Sequence, residues 1–198
     1  MNAFQTGTSK NASDSEGWSR SWTHLSVNRR NPRYCHVTFD HPPINTITAT
    51  TVVELRDLVG LIEQGRDLNV VVFDSANRDF YLAHYDLDPG RTEALGVSPT
   101  GLAAWVDVLI RLARAPVVSI ASLPGRARGA GSEFVLACDP RFASRENMLL
   151  RQWKVGVGVV PGGGPMARLS AWSVAAGRSR SSSWPTISMH RARSNTDR

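Results

Sequence analysis

Between residues 34 and 139 the chain switches repeatedly between a period of two and a period near 3.6, and that switching leaves few folds open. YCHVTFD (34–40) alternates as a strand does, and His41-Pro42-Pro43 closes it. TATTVVELRDLVGLIEQG (48–65) places Val52, Leu55, Val59 and Ile62 on one helical face, with Gly65 as its stop. NVVVFDS (69–75) reads as a buried strand, and a loop runs from it to about residue 98. GLAAWVDVLIRLARA (101–115) is a second amphipathic helix closed by Pro116, and VVSIAS (117–122) is a third strand. GAGSEFVLACD (129–139) is a tight glycine turn leading into a helix. Strands and helices alternating in this way predict an α/β domain.

Composition narrows the class. The 198 residues are 41% hydrophobic and 20% charged, enough for one domain with a core. No run of about 18 apolar residues predicts a membrane span. The N-terminus MNAFQTGTSKNASDSEGWSRSW has no apolar centre of the kind a secretory signal needs. Cys35 and Cys138 are isolated thiols without metal-like spacing, which points to a reducing, cytoplasmic setting. His36 and His84 read as ordinary strand and loop histidines, so no metal site is expected. The net charge is +6, but residues 171–198 hold five arginines against one acid and so supply four of those charges. The body is nearly neutral, which argues against a nucleic-acid-binding role and confines that reading to the tail.

RQWKVGVGVVPGGGP (151–165) is unusually bare. It does not match the phosphate-cradling G-x-x-x-x-G-K-[ST] pattern, because Pro165 and Met166 follow Gly164. Taken alone it predicts a strand, a tight turn and the start of another element, with glycine used for positive φ or close packing.

Four segments in order resemble the crotonase family, the enoyl-CoA hydratases and isomerases. They are VTFDHPPINTI (37–47), VVVFDSANRDFYLAHYDL (70–87), PVVSIASLPGRARGAGSEFVLACDPRFAS (116–144) and the Val-Gly run with PGGG. The resemblance covers about residues 34–170. It implies a crotonase-like (ClpP/crotonase) α/β fold of repeated ββα units, incomplete at the C-terminus. It also implies an acyl-CoA thioester substrate, with coenzyme A entering as part of that substrate and no separate cofactor. In such chemistry two backbone N–H groups stabilise the thioester oxygen as it gains negative charge. Matched position by position, those donors are the amides of Tyr85 and Ala130. Ala130 opens a helix, where free N–H groups and the dipole favour an anion. The resemblance further places Ala83, Asp86, Gly129 and Gly131 around the substrate, with Asp86 fixing the loop after the oxyanion turn. His84 and Tyr85 stand where the family has Gly and Ala, and Ala130 where it has Gly. These changes predict a reshaped loop and a narrower acyl pocket.

Glu133 matches the family's first catalytic glutamate. Lys154 falls where the second one belongs, so a carboxylate has become an ammonium. A lysine near its ordinary pKa of about 10.4 donates but does not accept a proton at neutral pH. Water addition by two cooperating carboxylates is therefore expected to be impaired, and double-bond isomerisation suffers with it. Thioester deacylation or decarboxylation, which needs only the oxyanion hole, survives better. Pairing of Lys154 with Glu133 is one expected arrangement. The alternative from another class is a non-catalytic, truncated remnant.

Three regions are expected: a flexible polar extension (1–32), the crotonase-like domain (33–170) and a disordered Ser/Arg-rich tail (171–198). Read two bases along, permitted codons for 171–190 can encode LVGRGRALEIVLVADDFDA, similar to the family's next helix and loop. A frame change is thus the expected origin of the tail, with a natural basic tail as the alternative. Loss of the later helices predicts weak stability and an impaired family trimer or hexamer. No nucleic-acid or membrane partner is expected.

Overall fold

The computed structural model describes residues 17–86, 95, 98, 100–152, 154–158, 160–175 and 186–187. The order of elements is a repeated strand–strand–helix unit. Strands β1 (Leu25–Asn31) and β2 (Tyr34–Phe39) lead into helix α1 (Ala49–Gln64). Strands β3 (Val70–Ser75) and β4 (Phe80–Leu82) lead into α2 (Ala104–Leu112). Strands β5 (Val118–Leu123) and β6 (Arg126–Arg128) lead into α3 (Ala130–Ala137). Strands β7 (Arg141–Ala143) and β8 (Leu150–Arg151) lead through a 3-10 turn (Lys154–Val157) into α4 (Pro165–Ala175), with a short β9 (Thr186–Ile187) beyond.

From the second unit onward each strand pair divides between two sheets. First strands join a five-stranded sheet of order β1-β2-β3-β5-β7, and second strands join a smaller sheet of order β4-β6-β8-β9. The β2-β3, β3-β5 and β5-β7 pairs are parallel, as are β4-β6 and β6-β8, while β1-β2 and β8-β9 are antiparallel. β3 and β5 each bury alternate residues, Val71 and Phe73 in the first and Ser119, Ala121 and Leu123 in the second.

The core lies where α3 meets both sheets. Phe134 of α3 is fully buried and packs edge-on against Phe39 of β2 and Phe73 of β3, with ring centroids 5.3 and 5.0 Å away. Tyr81 of β4 closes the cluster edge-on to Phe39 at 5.5 Å. Such aromatic pairs add to the stabilisation from buried area alone. The apolar face expected for α1 is buried at Val52, Leu55, Val59 and Ile62. Thr48 caps its start by accepting from the Thr51 N–H, with Thr51 returning the bond.

Two expectations about the edges of the domain need correction. Within the polar extension, residues 1–16 lie outside the described residues, but residues 17–31 are built into the fold. Trp18 is buried, and β1 pairs with β2 along most of its length. The amides of Thr23 and His24 both donate to the buried carboxylate of Glu54, and Arg20 pairs with Asp57 at 2.7 Å. The polar composition of β1 reflects an edge strand whose alternate residues face solvent. At the other end, α4 continues to Ala175 and residues 186–187 pair with β8, so the first residues assigned to the tail are helical. The rest of the tail lies outside the described residues. No described helix is long and apolar enough to cross a membrane.

Candidate functional site

Asn45 positions the loop that follows β4. It is buried, and its backbone sits at φ 55°, a left-handed conformation that asparagine tolerates. Its amide nitrogen donates to the Ser75 hydroxyl (2.8 Å) and to the Tyr81 carbonyl (3.1 Å). Its backbone carbonyl accepts from the Ala83 N–H (3.0 Å). The neighbouring Ile47 then brackets Tyr85: its N–H donates to the His84 carbonyl (3.1 Å), and its own carbonyl accepts from the Asp86 N–H (2.8 Å). Asp86 thus ties down the loop through its backbone. The Tyr85 ring lies edge-on to Trp105 at 6.4 Å, and burial raises its phenol pKa.

The start of α3 is pressed against this loop. The Gly131 N–H donates to the Ala83 carbonyl at 3.1 Å. A Cβ on Gly131 would stand 2.2 Å from the Leu82 carbonyl oxygen, so only glycine permits the approach. Gly129 caps the helix with no side chain to fill its end. Its carbonyl instead gathers the Glu133 N–H (3.1 Å), the Ser132 hydroxyl (2.8 Å) and the Gln152 side-chain amide (3.0 Å). Among the described residues neither the Tyr85 N–H nor the Ala130 N–H donates to a protein acceptor. Ala83, Gly129, Ala130 and Gly131 are buried scaffold, while Tyr85 and Asp86 are half-buried.

Glu133 is fully buried one turn into α3. Its Oε1 accepts from Lys154 Nζ at 2.7 Å, and its Oε2 accepts from Trp105 Nε1 at 2.9 Å. The lysine is 21% exposed and the carboxylate 0%. The bare loop explains itself here. A Cβ on Gly163 would lie 2.3 Å from Glu133 Oε2 and 2.8 Å from a Leu109 methyl, so the glycine backbone lies directly on the carboxylate. Arg168 of α4 braces that loop, donating to the Gly163 carbonyl at 2.9 Å and to the Leu109 carbonyl at 3.4 Å. Burial lowers the Arg168 pKa, against the raising effect of the Glu133 charge.

The structure therefore brings Glu133 and Lys154 into direct contact and sets Ala130 three residues before Glu133 on the same helix. Lys154–Val157 form a 3-10 turn rather than the strand that the Val-Gly alternation suggested. Strand geometry would place successive residues about 3.3 Å apart, whereas the tight turn keeps Lys154 against α3. Trp105 and Arg168 are the members of the site that sequence reasoning missed. Trp105 read as part of an apolar helix face, and nothing local signals that its N–H meets a carboxylate 28 positions away. Among the described residues no three His, Cys, Asp or Glu side chains gather as a metal site would need.

Comparison with known proteins places this geometry. Residues 29–180 match the family profile described as enoyl-CoA hydratase/isomerase. The chain is 31% identical over 129 residues to ethylmalonyl-CoA decarboxylase from Gallus gallus, a stretch that is 64% of this chain and 42% of that protein. A candidate enoyl-CoA hydratase from Streptomyces avermitilis superposes with a TM-score of 0.68 at 38% identity, covering 77% of this chain and 55% of that one. Pseudomonas aeruginosa DspI superposes with a TM-score of 0.67 at 28% identity, covering 80% of this chain and 60% of that one. The chain thus spans about half the length of the relatives it matches. At these TM-scores the superposed structures share this chain's fold.

Proposed function

The chain belongs to the enoyl-CoA hydratase/isomerase family, and on that premise we propose that its site handles coenzyme A thioesters by forming an enolate through loss of carbon dioxide rather than by adding water. The observation that carries this reading is the Lys154–Glu133 contact of 2.7 Å. An ammonium bonded to the carboxylate leaves no free base to deprotonate water, so the two-carboxylate route to hydration is closed. The same ammonium favours an anionic substrate and holds a proton. The similarity to a decarboxylase supports the direction of the proposal.

The substrate class is an acyl-CoA bearing a carboxylate on the α carbon. The bond between that carbon and the carboxylate breaks, carbon dioxide leaves, and the electron pair flows into the thioester to give an enolate. The amides of Tyr85 and Ala130 donate to the enolate oxygen as its charge develops. The Lys154 ammonium then gives one proton to the α carbon and regains it from solvent. Glu133, itself held by the Trp105 N–H, keeps the Lys154 ammonium in place.

Incubation of the purified chain with ethylmalonyl-CoA, and separately with crotonyl-CoA, tests the proposal. The expected result is carbon dioxide and butyryl-CoA from the first and negligible hydration of the second. Hydration of crotonyl-CoA without carbon dioxide release would overturn it. Tight thioester binding with no turnover of either compound would instead support a remnant that binds without catalysis.

A further inference from the structure

We infer that the outer face of the smaller sheet is an oxyanion site, built by Arg126, Arg128 and Arg151, that takes the phosphoryl group of a soluble ligand. The inference is independent of the thioester site. Strand register sets Arg128 of β6 directly beside Arg151 of β8, just as it sets Ala127 beside Leu150. Ala127 and Leu150 are buried in the core. Because strand side chains alternate, the two arginines project to the opposite face. Arg126 lies two positions before Arg128 and shares that face. Both stand over the Phe80 ring of β4, with their guanidinium carbons 5.4 and 5.3 Å from its centroid.

Arg126 and Arg128 stand over one ring with Arg151 beside Arg128 in the register, and like charges so placed repel one another unless an anion joins them. At two other arginines the fold supplies one: Arg20 pairs with Asp57, and Arg111 with Glu63 and Asp107. Among the described residues no carboxylate pairs with Arg126, Arg128 or Arg151. The Nε–H groups of Arg128 and Arg151 are also buried without an acceptor. Buried donors of this kind call for a partner. The planar guanidinium fork suits the oxygens of a phosphoryl group, which can accept two parallel bonds from each arginine. Residues 171–198 hold five arginines and one acid, so they carry little negative charge of their own.

Inorganic pyrophosphate is the probe. It is titrated at constant ionic strength against potassium chloride, with thermal unfolding and phosphorus NMR line width as readouts. The expected result is a saturable rise in Tm and broadening of the phosphorus signal, both lost in the R128Q/R151Q double variant and both retained in R20Q. If the double variant does not fold, R126Q alone is expected to weaken binding by about tenfold or more, the scale of a lost charge-assisted bond. A wild-type protein that ignores pyrophosphate, or variants that bind it as well as wild type, would overturn the inference. Salt-sensitive self-association without pyrophosphate binding would also overturn it and assign the face to a contact between copies.

Discussion

Replacing Lys154 with methionine isolates the physics of the buried pair. The substitution keeps an unbranched chain of similar bulk and removes one charge. Glu133 is fully buried, so without the ammonium its carboxylate keeps only the Trp105 N–H at 2.9 Å. Breaking a buried ion pair from one side costs about 3–5 kcal/mol. Lys154 remains 21% exposed and Trp105 still donates, so the lower end, about 3 kcal/mol, applies. For a chain of this length that lowers Tm by roughly 6–12 °C. Urea unfolding followed by tryptophan fluorescence measures the difference directly. Adding Glu133→Gln to Lys154→Met removes both charges and keeps an acceptor for Trp105, so the double variant returns to within about 1 kcal/mol of wild type. A Lys154→Met protein within about 0.5 kcal/mol of wild type, the scale of an ordinary surface change, would refute the description of Glu133 as a buried ion held by its partner.

Three further outcomes follow from other parts of the structure. Gly131→Ala puts a methyl 2.2 Å from the Leu82 carbonyl, so it separates α3 from the loop and costs thioester binding more than it costs helix content, as isothermal titration and circular dichroism would show together. Burial pushes the Cys35 and Cys138 thiols up to about 12, so neither reacts with a disulfide reagent at pH 8 until the chain is unfolded; rapid labelling of the native protein would contradict this. Burial, helped by the neighbouring His41, holds the His24 pKa below its ordinary 6.5 despite Glu54. The unfolded chain therefore binds a proton there more readily, and stability falls as pH drops below about 6.5; a His24→Gln variant shows a flatter dependence in urea melts across that window.

How far the sequence could be read depended on element length and on the reach of each contact. The segments at 34–40, 48–65 and 69–75 repeat their period long enough to declare themselves, and the structure sets β2, α1 and β3 within a residue or so of those bounds. The smaller sheet was opaque because β4 and β6 have three residues each and β8 has two, too few for any period. β1 was hidden by polar residues that face solvent from a sheet edge. Glu133 and Lys154 were legible by resemblance, and their direct contact was foreseen as one possibility. Trp105 and Arg168 were not, since both act through contacts made only when α2 and α4 close on α3. The glycine at 163 was visible as an oddity, but its reason required the carboxylate beneath it.

The most direct test of the central claim is the rate of crotonyl-CoA hydration by Lys154→Glu beside the wild-type protein. Restoring a carboxylate at this position reopens the two-carboxylate route. The account predicts a clear gain in hydration from a near-zero wild-type rate, accompanied by loss of carbon dioxide release from ethylmalonyl-CoA. A folded, thioester-binding Lys154→Glu protein whose hydration rate does not rise would contradict it, because the identity of the side chain at 154 would then not decide the chemistry.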